Sequence, residues 1–257
     1  MGIQHPLQPG ASLRLTTSSG NVTVVAEERT DVEAPDDARV DSRSGGGDGR
    51  GLDAKHRRRK RGKRVLRWLV DAGVHGRHLE HGPPGPVLEI SSPRGGSRDL
   101  EVRCPTGTPV SIGTISGGVR LAGEFGSVKV STVSGHIEID SASGDVDVRS
   151  VSGHLSVNTC SGRCQLNTKS GHVRIGRVEK AARVSTLSGS VELGTAGEEE
   201  VEVKSISGGV TVRVAEGRRP HIKVRTLSGK LRCDCPQGTD FDIKASTFSG
   251  SVEVTGP

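Results

Sequence analysis

Tyrosine is absent from this chain, and other bulky side chains are scarce: one Trp, three Phe and one Met in 257 residues. A large aromatic-lined ligand pocket is therefore not expected, because small-molecule sites are lined mainly by hydrophobic and aromatic groups. Val, Ile and Leu must fill the core almost alone. Five cysteines cannot all pair within one chain, which argues against a secreted disulfide scaffold and for reduced thiols. No apolar run approaches the roughly 18 residues of a membrane span, and the opening Met1-Gly2-Ile3-Gln4-His5-Pro6 lacks the charged and apolar regions of a secretory signal. The expectation is a soluble, cytoplasmic protein.

Glycine, by contrast, is abundant, with 37 residues, and its spacing is regular. Gly117, Gly126, Gly135, Gly144, Gly153, Gly162 and Gly171 are nine apart, and Gly189, Gly208, Gly229 and Gly250 follow at 18, 19, 21 and 21. Residues two and four after the glycine are apolar, as in Ile137/Ile139, Val146/Val148, Leu155/Val157 and Val191/Leu193, which is strand alternation. A short strand plus a glycine turn makes one side of a flattened coil, and two sides close a coil of 18 to 21 residues. Coils stacked at about 4.8 Å predict an all-β fold, a single-stranded parallel β-helix (β-solenoid) wound right-handed, the hand that parallel crossovers favour. A calcium-binding nonapeptide roll would need paired glycines and a regular Asp, and here the residue after the glycine is Asp only at Asp145.

Register assigns candidate faces. The residue two before each glycine is mostly apolar (Ile115, Val133, Ala142, Val151, Cys160, Leu187, Ile206, Leu227, Phe248) and is expected to point inward. The residues three and one before the same-side glycines are hydroxylic, from Thr114/Ser116 to Thr247/Ser249, and are expected to form two outward ladders. Their composition equally suits strand and turn preference. Cys160, Cys164 and Cys233 occupy inward positions and read as small hydrophobes. His136, His154 and His172 each follow a same-side glycine at intervals of 18, so they should stack outward, and stacked imidazoles are candidate ligands for a transition metal.

The run TVSGHIEIDSASGDVDVRSVSGHLSV, with the segments Cys104-Pro105-Thr106-Gly107-Thr108 and Cys235-Pro236-Gln237-Gly238-Thr239, resembles a family of unknown function described as adhesin-type β-strand-repeat proteins. The resemblance covers residues 85–257 and extends to 8–40. It implies a right-handed parallel β-helix, found mainly in bacteria, and it brings no established catalytic residues.

The organisation follows from the same grammar. Residues 1–40 carry Leu13/Leu15, Ser19-Gly20 and Val22/Val24 and read as N-terminal capping strands or a first coil, continuous with the solenoid of residues 85–257. Residues 41–84 lose periodicity and read as a disordered basic insertion. Its cluster Arg57, Arg58, Arg59, Lys60, Arg61, Lys63 and Arg64 is the strongest single-sign run. It is the candidate contact for nucleic acid or another polyanion, although no known nucleic-acid-binding fold accompanies it. No Ser-His-Asp, Cys-His or paired-carboxylate arrangement is recognisable, and Asp145 and Asp147 stand at strand positions rather than in a cleft. The function expected is a noncatalytic scaffold or interaction protein without a cofactor. The alternative is a small carbohydrate-active enzyme on a β-helix. Partners are a macromolecule, a polyanion for the basic run, and a second copy through the C-terminal strand edge at Ser251–Val254, held to weak association.

Overall fold

Alternating Val, Leu and Ile between glycines fold into short strands. The computed structural model describes residues 2–8, 10–43, 86–92, 98–197, 199–216, 218–235 and 242–255. Its strands are β1 (Gly2–Pro6), β2 (Ser12–Thr16), β3 (Val22–Glu27), β4 (Asp31–Pro35), β5 (Arg39–Arg43), β6 (Val87–Ser91), β7 (Leu100–Pro105), β8 (Val110–Gly113), β9 (Val119–Phe125), β10 (Val128–Ser131), β11 (Ile137–Ala142) and β12 (Val146–Ser152). They continue as β13 (Leu155–Cys160), β14 (Cys164–Ser170), β15 (Val173–Val178), β16 (Ala182–Ser188), β17 (Val191–Thr195), β18 (Val201–Ser207), β19 (Val210–Val214), β20 (His221–Ser228), β21 (Leu231–Asp234), β22 (Asp242–Ser249) and β23 (Val252–Thr255). No helix occurs among the described residues, so none is long and apolar enough to cross a membrane.

From β8 onward the chain alternates between two sheets, and each strand pairs in parallel with its neighbours in the stack, up to β22 and β23, which pair on one side only. The result is an all-β parallel β-solenoid with a 12-stranded and an 11-stranded face. Exact register stacks like on like. Val128, Val146, Cys164, Ala182, Val201 and Ile222 form one inner column, and Ile137, Leu155, Val173, Val191, Val210 and Leu231 form the facing one. All of these side chains are buried. Among the described residues Phe125 is the single buried aromatic side chain.

The first coil in sequence is not the first in the stack. β2 pairs with β6 on one side and β8 on the other, and β3 pairs likewise with β7 and β9. The coil of residues 12–27 is thus clasped between two coils that follow it by at least 60 residues in the chain. The Cys104-Pro105-Thr106-Gly107-Thr108 segment carries the chain past it. Thr106 N–H donates to the Glu27 carbonyl at 3.1 Å, Gly107 N–H to Glu124 at 3.0 Å, and Thr108 Oγ1 to Pro105 at 2.6 Å. Antiparallel β1, β4 and β5 then cover the outer coil, limiting the exposed strand edge at that end.

Candidate functional site

Two kinds of corner join the sheets. At the corner from the 11-stranded to the 12-stranded face, Gly20, Gly117, Gly135, Gly153, Gly171, Gly189, Gly208, Gly229 and Gly250 all have φ between 98° and 149°, a region that side chains avoid. A Cβ there would also overlap the carbonyl of the residue one coil before. Gly126, Gly144 and Gly162, at the opposite corner, lack a positive φ, and close backbone approach alone requires them.

This corner reverses two side-chain rows from the sequence expectation. Thr114, Thr132, Ser150, Thr168, Thr186, Ser205 and Thr226, three before the glycine, are buried rather than presented outward. Most use the hydroxyl to hold the turn: Thr132 Oγ1 donates to the Ser134 carbonyl at 3.2 Å, Ser150 Oγ to Ser152 at 3.0 Å and Thr168 Oγ1 to Ser170 at 3.0 Å. The apolar residues two before these glycines, expected inside, are half-buried at Ile115 and Val133 and exposed from Val151 on. Val151 is 39% exposed, Leu187 46%, Ile206 45%, Leu227 51% and Phe248 90%. The physical reason is parity. The inward alternation Val128, Val130 runs on to Thr132 before the chain turns, which leaves Val133 on the outside. At the opposite corner Ala142 and Cys160 are buried as expected.

The histidine ladder stands on the outside of the same corner. His136 and His154 stack with centroids 4.6 Å apart and planes 16° from parallel, and His154 and His172 lie 4.9 Å apart at 38°. His172 Nδ1 also contacts Ser190 Oγ, the next rung. Stacked rings hold equivalent nitrogens side by side, whereas two nitrogens on one tetrahedral zinc lie about 3.3 Å apart given Zn–N distances of about 2.0–2.1 Å. A shared ion requires rings to turn out of the stack. Among the described residues no three His, Cys, Asp or Glu side chains are grouped to hold a metal.

All five cysteines are free and buried. Burial pushes the Cys104 thiol up to about 11 and raises Cys233 as well. The hydrogen bond between Cys160 and Cys164 lowers the former and raises the latter. Cys233 and Cys235 sulfurs are 3.1 Å apart. The carboxylates serve the solenoid: Asp145 Oδ1 accepts from Arg163 N–H at 2.8 Å, Asp140 from Asn158 Nδ2 at 3.1 Å, and Asp147 pairs with Arg149 at 3.3 Å. Glu202 is held below its ordinary value by hydrogen bonding to Lys204, at 2.7 Å, with Arg183 at 2.9 Å on its other side. The basic run Arg57–Arg64 lies outside the described residues.

Sequence reasoning located the histidine stack, the inward cysteines and the glycine ruler. It missed the solvent-facing apolar ridge, although the alternation through Val128, Val130 and Thr132 carried the signal. Searches of the curated proteins and of the solved structures returned no match. A family model described as Toastrack DUF4097 matches residues 11–209 and again residues 161–256. Nearly the whole solenoid is thereby covered, and the chain belongs to the Toastrack family, a domain family of unknown function.

Proposed function

We propose that the protein is a noncatalytic interaction scaffold, a rigid rod that presents straight rows of side chains to a macromolecular partner. The observation that carries this reading is the regularity of the faces. On the 11-stranded face every strand from Val128 to Ser207 is in register with the next, on the 12-stranded face the register shifts only between Ile175 and Val178, and the described turns are only a few residues long. Exposed groups therefore fall in parallel lines at about 4.8 Å spacing and do not converge on one point, as an acid, base and nucleophile must. The thiols, the most reactive groups by type, are all buried.

The basic run Arg57, Arg58, Arg59, Lys60, Arg61, Lys63 and Arg64 supplies a polyanion contact in this reading. Such contacts need charge density rather than a shaped pocket, and they weaken as salt rises. Fluorescence anisotropy with a labelled RNA homopolymer and with heparin, at low and physiological salt, tests it. Binding is expected to fall steeply with salt and to be lost when the seven cations are changed to Gln. Salt-independent binding, or binding untouched by those changes, overturns the polyanion contact. Hydrolysis of a glycan by the purified chain would overturn the noncatalytic reading.

A further inference from the structure

The outside of the glycine corner combines two properties. First, beyond Lys169 the row two before the glycines forms a continuous apolar ridge from Leu187 to Phe248, because the residues on either side of it are paired coil to coil: Thr186 with Ser205, Thr226 and Thr247, and Ser188 with Ser207, Ser228 and Ser249. Leu187, Ile206, Leu227 and Phe248 stand one above another, and exposure rises to 90% at Phe248. Second, the ridge and its flanks lack negative charge. At the nine glycines of this corner, no Asp or Glu occurs four, two or one residue before the glycine, or one after it. Carboxylates resume in the rows beyond, at Asp147 and Glu202 on one side and Glu138 and Glu192 on the other. Cations are kept within the strip. Lys169, Arg225 and Lys230 are exposed, and among the described residues none has an ion-pair partner.

Shape and charge decide what such a strip can hold. It is a convex edge rather than a groove, and its backbone is already satisfied: Ser152 N–H donates to Val133 at 2.9 Å, Gly189 N–H to Ser207 at 3.1 Å and Gly229 N–H to Ser249 at 3.1 Å. Neither a peptide strand nor a helix-binding cleft fits, because the first needs free edge groups and the second a concavity. A second copy laid ridge to ridge would bring unpaired cations together. An anionic bilayer surface accommodates a line of apolar side chains between headgroups and rewards the flanking cations.

We propose that this edge is a membrane-contact surface for anionic phospholipid. The solenoid lies along the bilayer, Leu187, Ile206, Leu227 and Phe248 enter the headgroup region, and Lys169, Arg225 and Lys230 meet lipid phosphates and carboxylates. The inference is separate from the polyanion contact assigned to Arg57–Arg64.

Cosedimentation of the full chain with phosphatidylcholine vesicles, with and without phosphatidylserine, tests it. Expected is binding that requires phosphatidylserine, falls at least tenfold in a Leu227→Ser, Phe248→Ser variant, and falls comparably in an Arg225→Gln, Lys230→Gln variant. Thermal melting checks that these exposed changes leave the fold intact. A further variant with the Arg57–Arg64 cations replaced by Gln separates the two sites. Binding that disappears in that variant but is unchanged in the ridge variants overturns the membrane edge and leaves the polyanion contact standing. Ridge-dependent vesicle binding in a chain that ignores RNA and heparin does the reverse. No vesicle binding by the unaltered chain also overturns it.

Discussion

Gly153 lies directly over Gly135, and the Gly135 carbonyl oxygen fills the space that a side chain at 153 would take. The relation repeats along the corner with φ near 130°, so each coil limits the residue above it twice, by dihedral and by contact. A Gly153→Ala change is expected to destabilise the protein by more than about 1 kcal/mol, since both the strained φ and the overlap act in the same direction. Gly113 provides the contrast, with open space around a Cβ and no positive φ. Gly113→Ala should be neutral or stabilising by a few tenths of a kcal/mol, through reduced unfolded-chain entropy. Urea unfolding of the two variants beside the parent chain checks the pair.

The hydroxyl row separates from its neighbours in the same way. Thr168 Oγ1 donates to the Ser170 carbonyl at 3.0 Å, whereas the buried Ser205 Oγ has no partner among the described residues. Thr168→Val should cost about 1 kcal/mol, the net worth of an ordinary intramolecular hydrogen bond. Ser205→Ala should be neutral or stabilising, because it removes a buried polar atom that bonds nothing. Equal losses at both positions would mean that the hydroxyls act through packing rather than through the turn.

These rows show what was legible in the sequence. The period of 18 was enough to place His136 over His154 and Cys160 inside, because a parallel stack repeats every contact at a fixed interval. The facing of Thr132 and Val133 was not recovered from hydrophobicity. Val133 is the more apolar of the two, but strand parity set by Val128 and Val130 outweighs side-chain type, and the inward threonine satisfies its hydroxyl locally. Equally hidden was the order of stacking. Leu13 and Leu15 follow the common alternation, and nothing in their spacing shows that Leu88 and Val110 flank Leu13 on opposite sides. Repeats of one grammar are interchangeable in register, so the pattern fixes the coil but not which coil sits next to which.

Alkaline pH should weaken the fold. Burial raises the Cys104 thiol from an ordinary 9.0 to about 11, so between these values the unfolded chain loses a proton that the folded chain keeps. Stability from this group is complete below about pH 9 and declines as pH rises toward about 11, by on the order of 2 kcal/mol. Replacing it in Cys104→Ala should flatten that part of the stability profile, whatever constant loss the smaller side chain brings. Identical slopes for parent and variant, measured by urea unfolding from pH 8 to 11, would show that Cys104 does not titrate as a buried thiol.

The clasped coil makes the N-terminal segment part of the rod. Leu13 and Leu15 are fully buried between Leu88 and Ile90 on one side and Val110 and Ile112 on the other. β3 is held equally by β7 and β9. Without this coil, β6–β7 and β8–β9 would be separated by a gap of two strand spacings, about 9.6 Å. Residues 1–43 and 86–257 expressed together as separate chains should therefore assemble, because the paired strands on both sides do not depend on a covalent link. Copurification through a tag on the shorter chain checks this, and Leu15→Asp in that chain should abolish it by placing an unpaired charge in the core. Independent elution of the two chains, with the longer one folded alone by circular dichroism and melting as cooperatively as the parent, would show that the coil of residues 12–27 is an accessory and not a rung of the solenoid.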